Sequence, residues 1–190
     1  MTAELALGTC RCWAIPEAVG RAALSGAQWV DMAPNYATGR AQILLTPVLA
    51  AHPSLNVSTK TGYFTAATCA DAVNDGVLDP DEAAAGHSLA PDHVRWQTGR
   101  NREQLGRDRL DLVLLHNPSA PIPATAPPCT ARSGTPSPSW RKRSRLGTEY
   151  GVATWAGLEE AFTVGELLAL AAEAAGGHHQ LAAVQLPAAW

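Results

Sequence analysis

Four ionisable residues, Asp31, Tyr36, Lys60 and His116, fall at or just beyond the ends of short apolar runs. They are far apart along the chain, but the carboxyl ends of parallel strands meet at one rim of an α/β barrel, where side chains converge on a substrate. Taken singly, each has a simpler explanation: the aspartate could cap a turn, the lysine could be a solvated charge, and the histidine could be a hydrogen-bonded core residue. Their joint placement favours a site for acid–base chemistry.

Short apolar runs that alternate with longer helical stretches predict the strands that would position these groups. This alternation is typical of parallel strands joined by crossover helices. The run 111–115 is nearly all apolar, as expected of a strand that is covered on both faces. The six predicted strands are 5–9, 28–32, 55–59, 110–116, 150–154 and 181–185. The sequence therefore predicts an α/β fold with a parallel sheet.

Three segments between these strands have helical composition. The predicted helices are 16–25, 88–110 and 159–175. The inner face of the second helix is predicted to consist of Val94, Gln97 or Thr98, and Leu105. Residues 69–86 are acidic and rich in turn residues, so we expect a surface excursion there.

The segment 119–149 departs from this pattern, because it stands where a crossover helix should join the fourth and fifth strands. It is rich in Pro, Ser, Thr and Arg, a composition that does not form a packed amphipathic helix. In one explanation the segment is read out of frame, since suitable codons for 135–143 encode the helix-like peptide DAFAVLEEA when displaced by one base. In the other it is a genuine disordered loop, although long structureless insertions are uncommon in compact α/β domains.

The charge balance and the hydropathy pattern exclude several classes of protein. The chain has 14 Lys and Arg against 17 Asp and Glu, which leaves no basic surface of the kind that binds nucleic acid. No run reaches the roughly 18 consecutive apolar residues that a membrane-spanning helix needs. The start of the chain lacks a charged leader and an apolar core, so we expect a cytoplasmic protein. Cys10 and Cys12 are spaced more closely than zinc ligands usually are, and no metal site is predicted.

The sequence contexts of the four ionisable residues resemble the aldo-keto reductase family. Asp31 and Tyr36 lie in VDMAPNY, Lys60 lies in VSTKTG, and His116 lies in LVLLHNP. The resemblance runs from Leu5 to Trp190 and is interrupted by the aberrant segment. It implies a TIM-type (β/α)8 barrel and the reduction of an aldehyde or ketone to an alcohol.

The resemblance also assigns roles to these four residues. Tyr36 would be the acid that protonates the carbonyl oxygen, and His116 would orient the substrate through a hydrogen bond. An ordinary tyrosine, with a pKa near ~10, is a poor acid at neutral pH, and a neighbouring ammonium group is expected to lower that pKa. Lys60 would supply this charge, and Asp31 would hold Lys60 in place.

The same resemblance implies a nicotinamide cofactor, which is NADPH with NADH as the alternative. Gln185, in AVQLP, matches a side chain that hydrogen-bonds the nicotinamide carboxamide. After Gly-Val of the fifth strand the family usually carries Ser-Asn, whereas this chain has Ala-Thr, so that Thr154 offers a hydroxyl. We expect Trp13, Tyr63 and Trp155 to line an apolar substrate pocket, with simple packing at the rim as an equal alternative.

The chain is shorter than a complete barrel, which takes eight strands and about 250 residues. Six predicted strands imply an incomplete, truncated barrel without the part that holds the cofactor's phosphates in the family. Its two unpaired sheet edges would favour self-association. The expected function is NADPH-dependent reduction of a small carbonyl compound. Two alternatives stay open: an inactive truncated remnant, and a non-catalytic binding or regulatory partner of the same fold.

Overall fold

One parallel sheet organises the computed structural model, which describes residues 4–119 and 149–187. Six strands pair in chain order, and each is parallel to the next. They are β1 (Ala6–Gly8), β2 (Trp29–Asp31), β3 (Asn56–Thr61), β4 (Leu112–His116), β5 (Glu149–Ala153) and β6 (Leu181–Gln185). The sheet curls into a partial barrel of the (β/α)8 type, which confirms the predicted fold class.

Within the described residues, helices join consecutive strands in the alternation that the sequence predicts, except between β4 and β5, where residues 120–148 are not described. They are α1 (Ile15–Leu24), α2 (Ala41–Ala51), α3 (Ala66–Asn74), α4 (Pro80–Ala84), α5 (Pro91–Leu105), α6 (Gly157–Glu160) and α7 (Val164–Ala175). Helix α2 is absent from the prediction, and it carries Pro47 in its interior, where proline is disfavoured. Leu45 and Leu49 of this helix are buried in the main core, so tertiary packing outweighs the cost of the proline. No helix within the described ranges is both long enough and apolar enough to cross a membrane.

The predicted surface excursion at 69–86 is wrong in part, because α3 and α4 lie there. These helices pack around a small core of their own, formed by Ala72, Leu78 and Ala83. Helix α4 begins with a capping box, in which the side chains of Asp79 and Glu82 each accept a hydrogen bond from the other's backbone N–H. Two of the acidic residues that suggest a solvated loop are therefore helix caps.

The long helix predicted for 159–175 is interrupted, since α6 ends at Glu160 and α7 begins at Val164. Thr163 forms a second capping box with Glu166 and starts the new helix there. The inner face of α5 also differs from the predicted one. His93 and Asn101 are buried together with Gln97 and Leu105, while Val94 and Thr98 are only partly buried.

Core residues and site residues alternate along the strands, so that they lie on opposite faces of the sheet. Val30 and Val57 pack into the main hydrophobic core with residues of α1, α2 and α5. Successive side chains of a strand point to opposite faces of the sheet. Asp31, Ser58 and Lys60 therefore lie on the other, concave face. Of the segment 119–149, residues 120–148 lie outside the described residues, and both explanations of it stay predictions.

Candidate active site

A buried ion pair between β2 and β3 forms the base of the site. The ammonium group of Lys60 donates to Oδ1 and Oδ2 of Asp31, at 2.9 Å and 2.7 Å, and to the carbonyl oxygen of Met32 at 3.0 Å. Lys60 is only 2% exposed. Ser58 donates a further hydrogen bond to Oδ1 of Asp31 at 2.6 Å. A buried pair of charges is tolerated when it is hydrogen-bonded in this way.

Tyr36 and His116 complete the group of four side chains. Tyr36 begins a 3-10 turn (Tyr36–Gly39), in which Ala37 and Thr38 adopt left-handed backbone conformations. The Lys60 nitrogen lies 5.1 Å from the centre of the Tyr36 ring. The His116 ring lies edge-on to the same ring, with the two centres 6.3 Å apart. The fold thus brings together four residues that are separated by up to 85 positions in the sequence.

The pKa of Tyr36 is raised on balance in the fold, which corrects the expectation of a net downward shift. Burial raises the pKa of the Tyr36 phenol, and the negative charge of Asp31 and a contact with Cys10 raise it further. The ammonium of Lys60 is bound to Asp31 and Met32, and the carboxylate of Asp31 offsets part of its attraction for a phenolate. Burial and Asp31 therefore outweigh Lys60, and Tyr36 is a neutral phenol at physiological pH.

The two basic groups of the site also depart from their ordinary behaviour. Burial lowers the pKa of Lys60, although the carboxylate of Asp31 opposes this shift. Burial lowers the pKa of His116 to about 4, and the nearby Lys60 and His87 add to the shift. His116 is therefore a neutral imidazole at pH 7.

The low pKa of His116 predicts that stability falls in acid. Its folded-state pKa of about 4 lies below the unfolded value of about 6.5, so the unfolded state takes up a proton that the folded state does not, and stability is lost as the pH drops from 6.5 towards 4. In the unmodified chain the free energy of unfolding should fall by about 2 kcal/mol between pH 7 and pH 5 because of His116. We expect the His116→Gln chain to lack this part of the decrease. Urea denaturation of both chains at the two pH values measures it. An identical pH dependence in the two chains would refute the assignment.

The residues expected to hold the nicotinamide lie at the ends of neighbouring strands. In the sheet register Ala153 pairs with both His116 and Gln185. Thr154 follows directly, but its hydroxyl oxygen accepts from the backbone N–H of Gly157 at 2.9 Å and lies 3.2 Å from the Ser119 hydroxyl. The Thr154 hydroxyl thus holds the first N–H of α6, whereas Gln185 is a partly buried side chain at the rim.

The three aromatic residues expected around the substrate differ in their surroundings. Tyr63 is partly buried, and its ring centre lies 4.9 Å from that of His116 in an edge-on arrangement. Trp13 is fully exposed and Trp155 is 68% exposed, so both indoles face solvent. A cavity of about 430 Å³ lies at the opposite, amino end of β3 and β4 and is lined by residues of 53–56 and 106–111. The part that the two tryptophans play in a pocket stays a prediction.

Three further residues contact the site without being predicted from the sequence. Ser58 could have been found, because it precedes Lys60 by two positions and so shares its face of β3. Cys10 is an exposed free thiol just after β1 that contacts Tyr36. His87 lies 4.5 Å from Tyr63 between ring centres, and no sequence pattern marks it, because it belongs to the excursion after β3.

Comparisons with known proteins agree with this architecture. A model of the aldo/keto reductase family matches residues 15–172. No curated protein matches the chain. A solved glycerol dehydrogenase from Gluconobacter oxydans is similar at a TM-score of 0.57 and 18% identity, over 97% of this chain and 51% of that chain. An aldose reductase from Giardia lamblia is similar at a TM-score of 0.55 and 17% identity, over 97% of this chain and 57% of that chain.

A protein from Pseudomonas aeruginosa, whose assignment as an aldo-keto reductase is itself a proposal, is similar at a TM-score of 0.52. It is 21% identical, over 80% of this chain and 56% of that chain. At these identities the solved structures show the shared fold. The chain spans about half of the length of these solved relatives. Because the family model covers most of its residues, this chain belongs to the aldo/keto reductase family.

Proposed function

We propose that this chain carries the carbonyl-reducing site of an aldo-keto reductase that uses NADPH, with NADH as the alternative. The observation that supports the proposal is the buried contact of Lys60 with both oxygens of Asp31, directly beside the ring of Tyr36 and facing His116. Such a grouping of a carboxylate, an ammonium, a phenol and an imidazole suits proton transfer to a carbonyl oxygen. When bound, the reduced nicotinamide supplies the hydride that adds to the carbonyl carbon.

Tyr36 gives the proton to the carbonyl oxygen. Its raised pKa keeps the phenol protonated before the reaction, so the proton is available at neutral pH. Addition of hydride makes the carbonyl oxygen an alkoxide, which is a stronger base than a phenolate and takes the proton. The phenolate that remains lies beside the ammonium of Lys60, whose nitrogen is 5.1 Å from the ring centre. Lys60 therefore stabilises the charge that appears on Tyr36 during the reaction.

His116 orients the carbonyl oxygen as a neutral donor. Within the described residues its Nδ1 is buried and has no hydrogen-bond partner. A buried unpaired N–H costs about 1 to 3 kcal/mol, which favours the tautomer with the proton on Nε2. The Nε2–H group then donates to the substrate, and the pKa of about 4 prevents the ring from becoming charged at neutral pH.

Gln185 and Thr154 would hold the carboxamide of the nicotinamide. A glutamine side chain both donates and accepts hydrogen bonds, which matches the donor and acceptor of a carboxamide. Gln185 lies at the carboxyl end of β6, beside the end of β5, so its place in the fold fits this contact. The hydroxyl of Thr154 already accepts a hydrogen bond from the N–H of Gly157 and would be the weaker of the two contacts.

A fluorescence titration of NADPH and of NADH against the full chain tests this cofactor. We expect saturable binding in the micromolar range, and Gln185→Leu should weaken it by roughly threefold to tenfold, the value of one or two hydrogen bonds. Gln180→Leu is the matched control, because Gln180 lies just before β6 at the opposite end of the same strand. Equal affinity in the two variants would refute the role of Gln185. Binding of neither nucleotide would favour the inactive remnant.

A further inference from the structure

We propose that His87 is a positioning residue that holds His116 in place through a hydrogen bond to its main chain, with the ring of Tyr63 packed between the two imidazoles. The inference rests on the proposed function, because it concerns how the same site keeps its shape. His87 lies outside the strands and the 3-10 turn that carry the four site residues, on the segment that returns from α4 to α5.

A hydrogen bond connects His87 to the end of β4. Nε2 of His87 lies 2.7 Å from the carbonyl oxygen of His116. A carbonyl oxygen only accepts hydrogen bonds, so this nitrogen carries the proton. The register between β3 and β4 ends with the pair Thr61 and Leu115, one residue before His116. His87 thus supports His116 at the point where the ladder with β3 stops.

The ring of Tyr63 forms a second connection between the two histidines. Its centre lies 4.5 Å from that of His87 and 4.9 Å from that of His116. The Tyr63 ring is nearly perpendicular to the His116 ring, at 86°, which is a favourable edge-on contact. The contact between the Tyr63 and His116 rings therefore reports where the imidazole that faces the substrate lies.

Gly62 makes room for this arrangement. Its φ of +131° is a conformation that other residues rarely adopt, and a Cβ atom there would lie 2.8 Å from Nε2 of His87. The surrounding main chain is fastened as well: Ser88 donates to the carbonyl of Gly62 at 3.0 Å, and Tyr63 and His87 form an antiparallel bridge. The local backbone thus fixes the His87 ring against the end of β3.

Two substitutions separate the hydrogen bond from the packing of the ring. His87→Gln keeps a side-chain N–H donor, whereas His87→Phe keeps a ring and removes the donor. With NADPH and 4-nitrobenzaldehyde as probes, we expect His87→Phe to lower kcat by about 10- to 100-fold with little change in KM, the effect of a misplaced group. The kcat of His87→Gln should stay within about threefold of that of the unmodified chain, because the hydrogen bond is retained. His178→Phe is the control, since His178 is exposed and precedes β6 at the opposite end of the sheet.

A second measurement does not depend on activity. Nuclear Overhauser contacts between the rings of Tyr63 and His116 should be present in the full chain and in His87→Gln, and should be lost in His87→Phe. If the unmodified chain reduces no aldehyde but these contacts behave as expected, the positioning role stands and the proposed function fails. If His87→Phe keeps both kcat and the ring contacts, the positioning role is overturned. Equal losses of kcat in both His87 variants would overturn the part played by the hydrogen bond.

Discussion

Replacing Tyr36 with phenylalanine is expected to lower kcat for carbonyl reduction by about 10²- to 10⁴-fold, with almost unchanged affinity for the nucleotide. The substitution removes the proton donor and keeps the ring that lies against Lys60 and His116. Steady-state kinetics with an aldehyde, together with a binding titration of NADPH, measures the two effects separately.

Tyr150→Phe is the matched control for this experiment. Tyr150 lies near the amino end of β5, at the other end of the sheet from the site, so loss of its hydroxyl should leave kcat unchanged. A Tyr36→Phe chain that still reduces aldehydes at the original rate would remove Tyr36 from the mechanism. A large loss of nucleotide affinity with an unchanged kcat would mean that Tyr36 contributes to the cofactor site instead.

Replacing Lys60 with methionine is expected to lower the free energy of unfolding by about 3 to 5 kcal/mol. The change leaves the carboxylate of Asp31 with the hydroxyl of Ser58 but without its buried counter-charge. It should also abolish reduction, because no ammonium then stabilises the phenolate of Tyr36. Urea denaturation, followed by circular dichroism, gives the stability change directly.

Two further variants test the origin of that loss. Asp31→Asn combined with Lys60→Met removes both charges, so it should recover much of the stability while activity stays absent. Arg95→Met breaks an exposed ion pair with Asp92, which is worth less than about 1 kcal/mol. A Lys60→Met chain as stable as Arg95→Met would show that the pair of Asp31 and Lys60 contributes no more than a surface contact.

The strands could be predicted from the sequence because their apolar residues are contiguous and their spacing is regular. Each predicted strand overlaps an observed one, and β6 has the predicted bounds. Helix α2 could not be predicted in the same way, since Pro47 opposes a helix locally and only burial of Leu45 and Leu49 supports it. The start of α7 depends on a capping box at Thr163, which is a local signal that the composition of 159–175 conceals.

The grouping of the four site residues follows from strand ends that share one rim, so the sequence was sufficient to place them together. The net pKa shift of Tyr36 was not predictable, because it depends on how deeply the phenol is buried and on how closely Asp31 lies to Tyr36 and Lys60. Both depend on distances that only the folded backbone sets. The role of His87 could not be predicted from the sequence either, because an antiparallel bridge with Tyr63 brings it to the site.

The central claim is that these side chains support hydride transfer to a carbonyl. The most direct test follows a deuterium label from the nucleotide to the product. The full chain and its Tyr36→Phe variant are each incubated with NADPH that carries two deuterium atoms at C4 and with 4-nitrobenzaldehyde, and the alcohol is analysed by mass spectrometry. We expect one deuterium at the carbinol carbon of the product made by the full chain, and almost no product with the variant. An alcohol without deuterium, or equal yields from the two chains, would contradict the account.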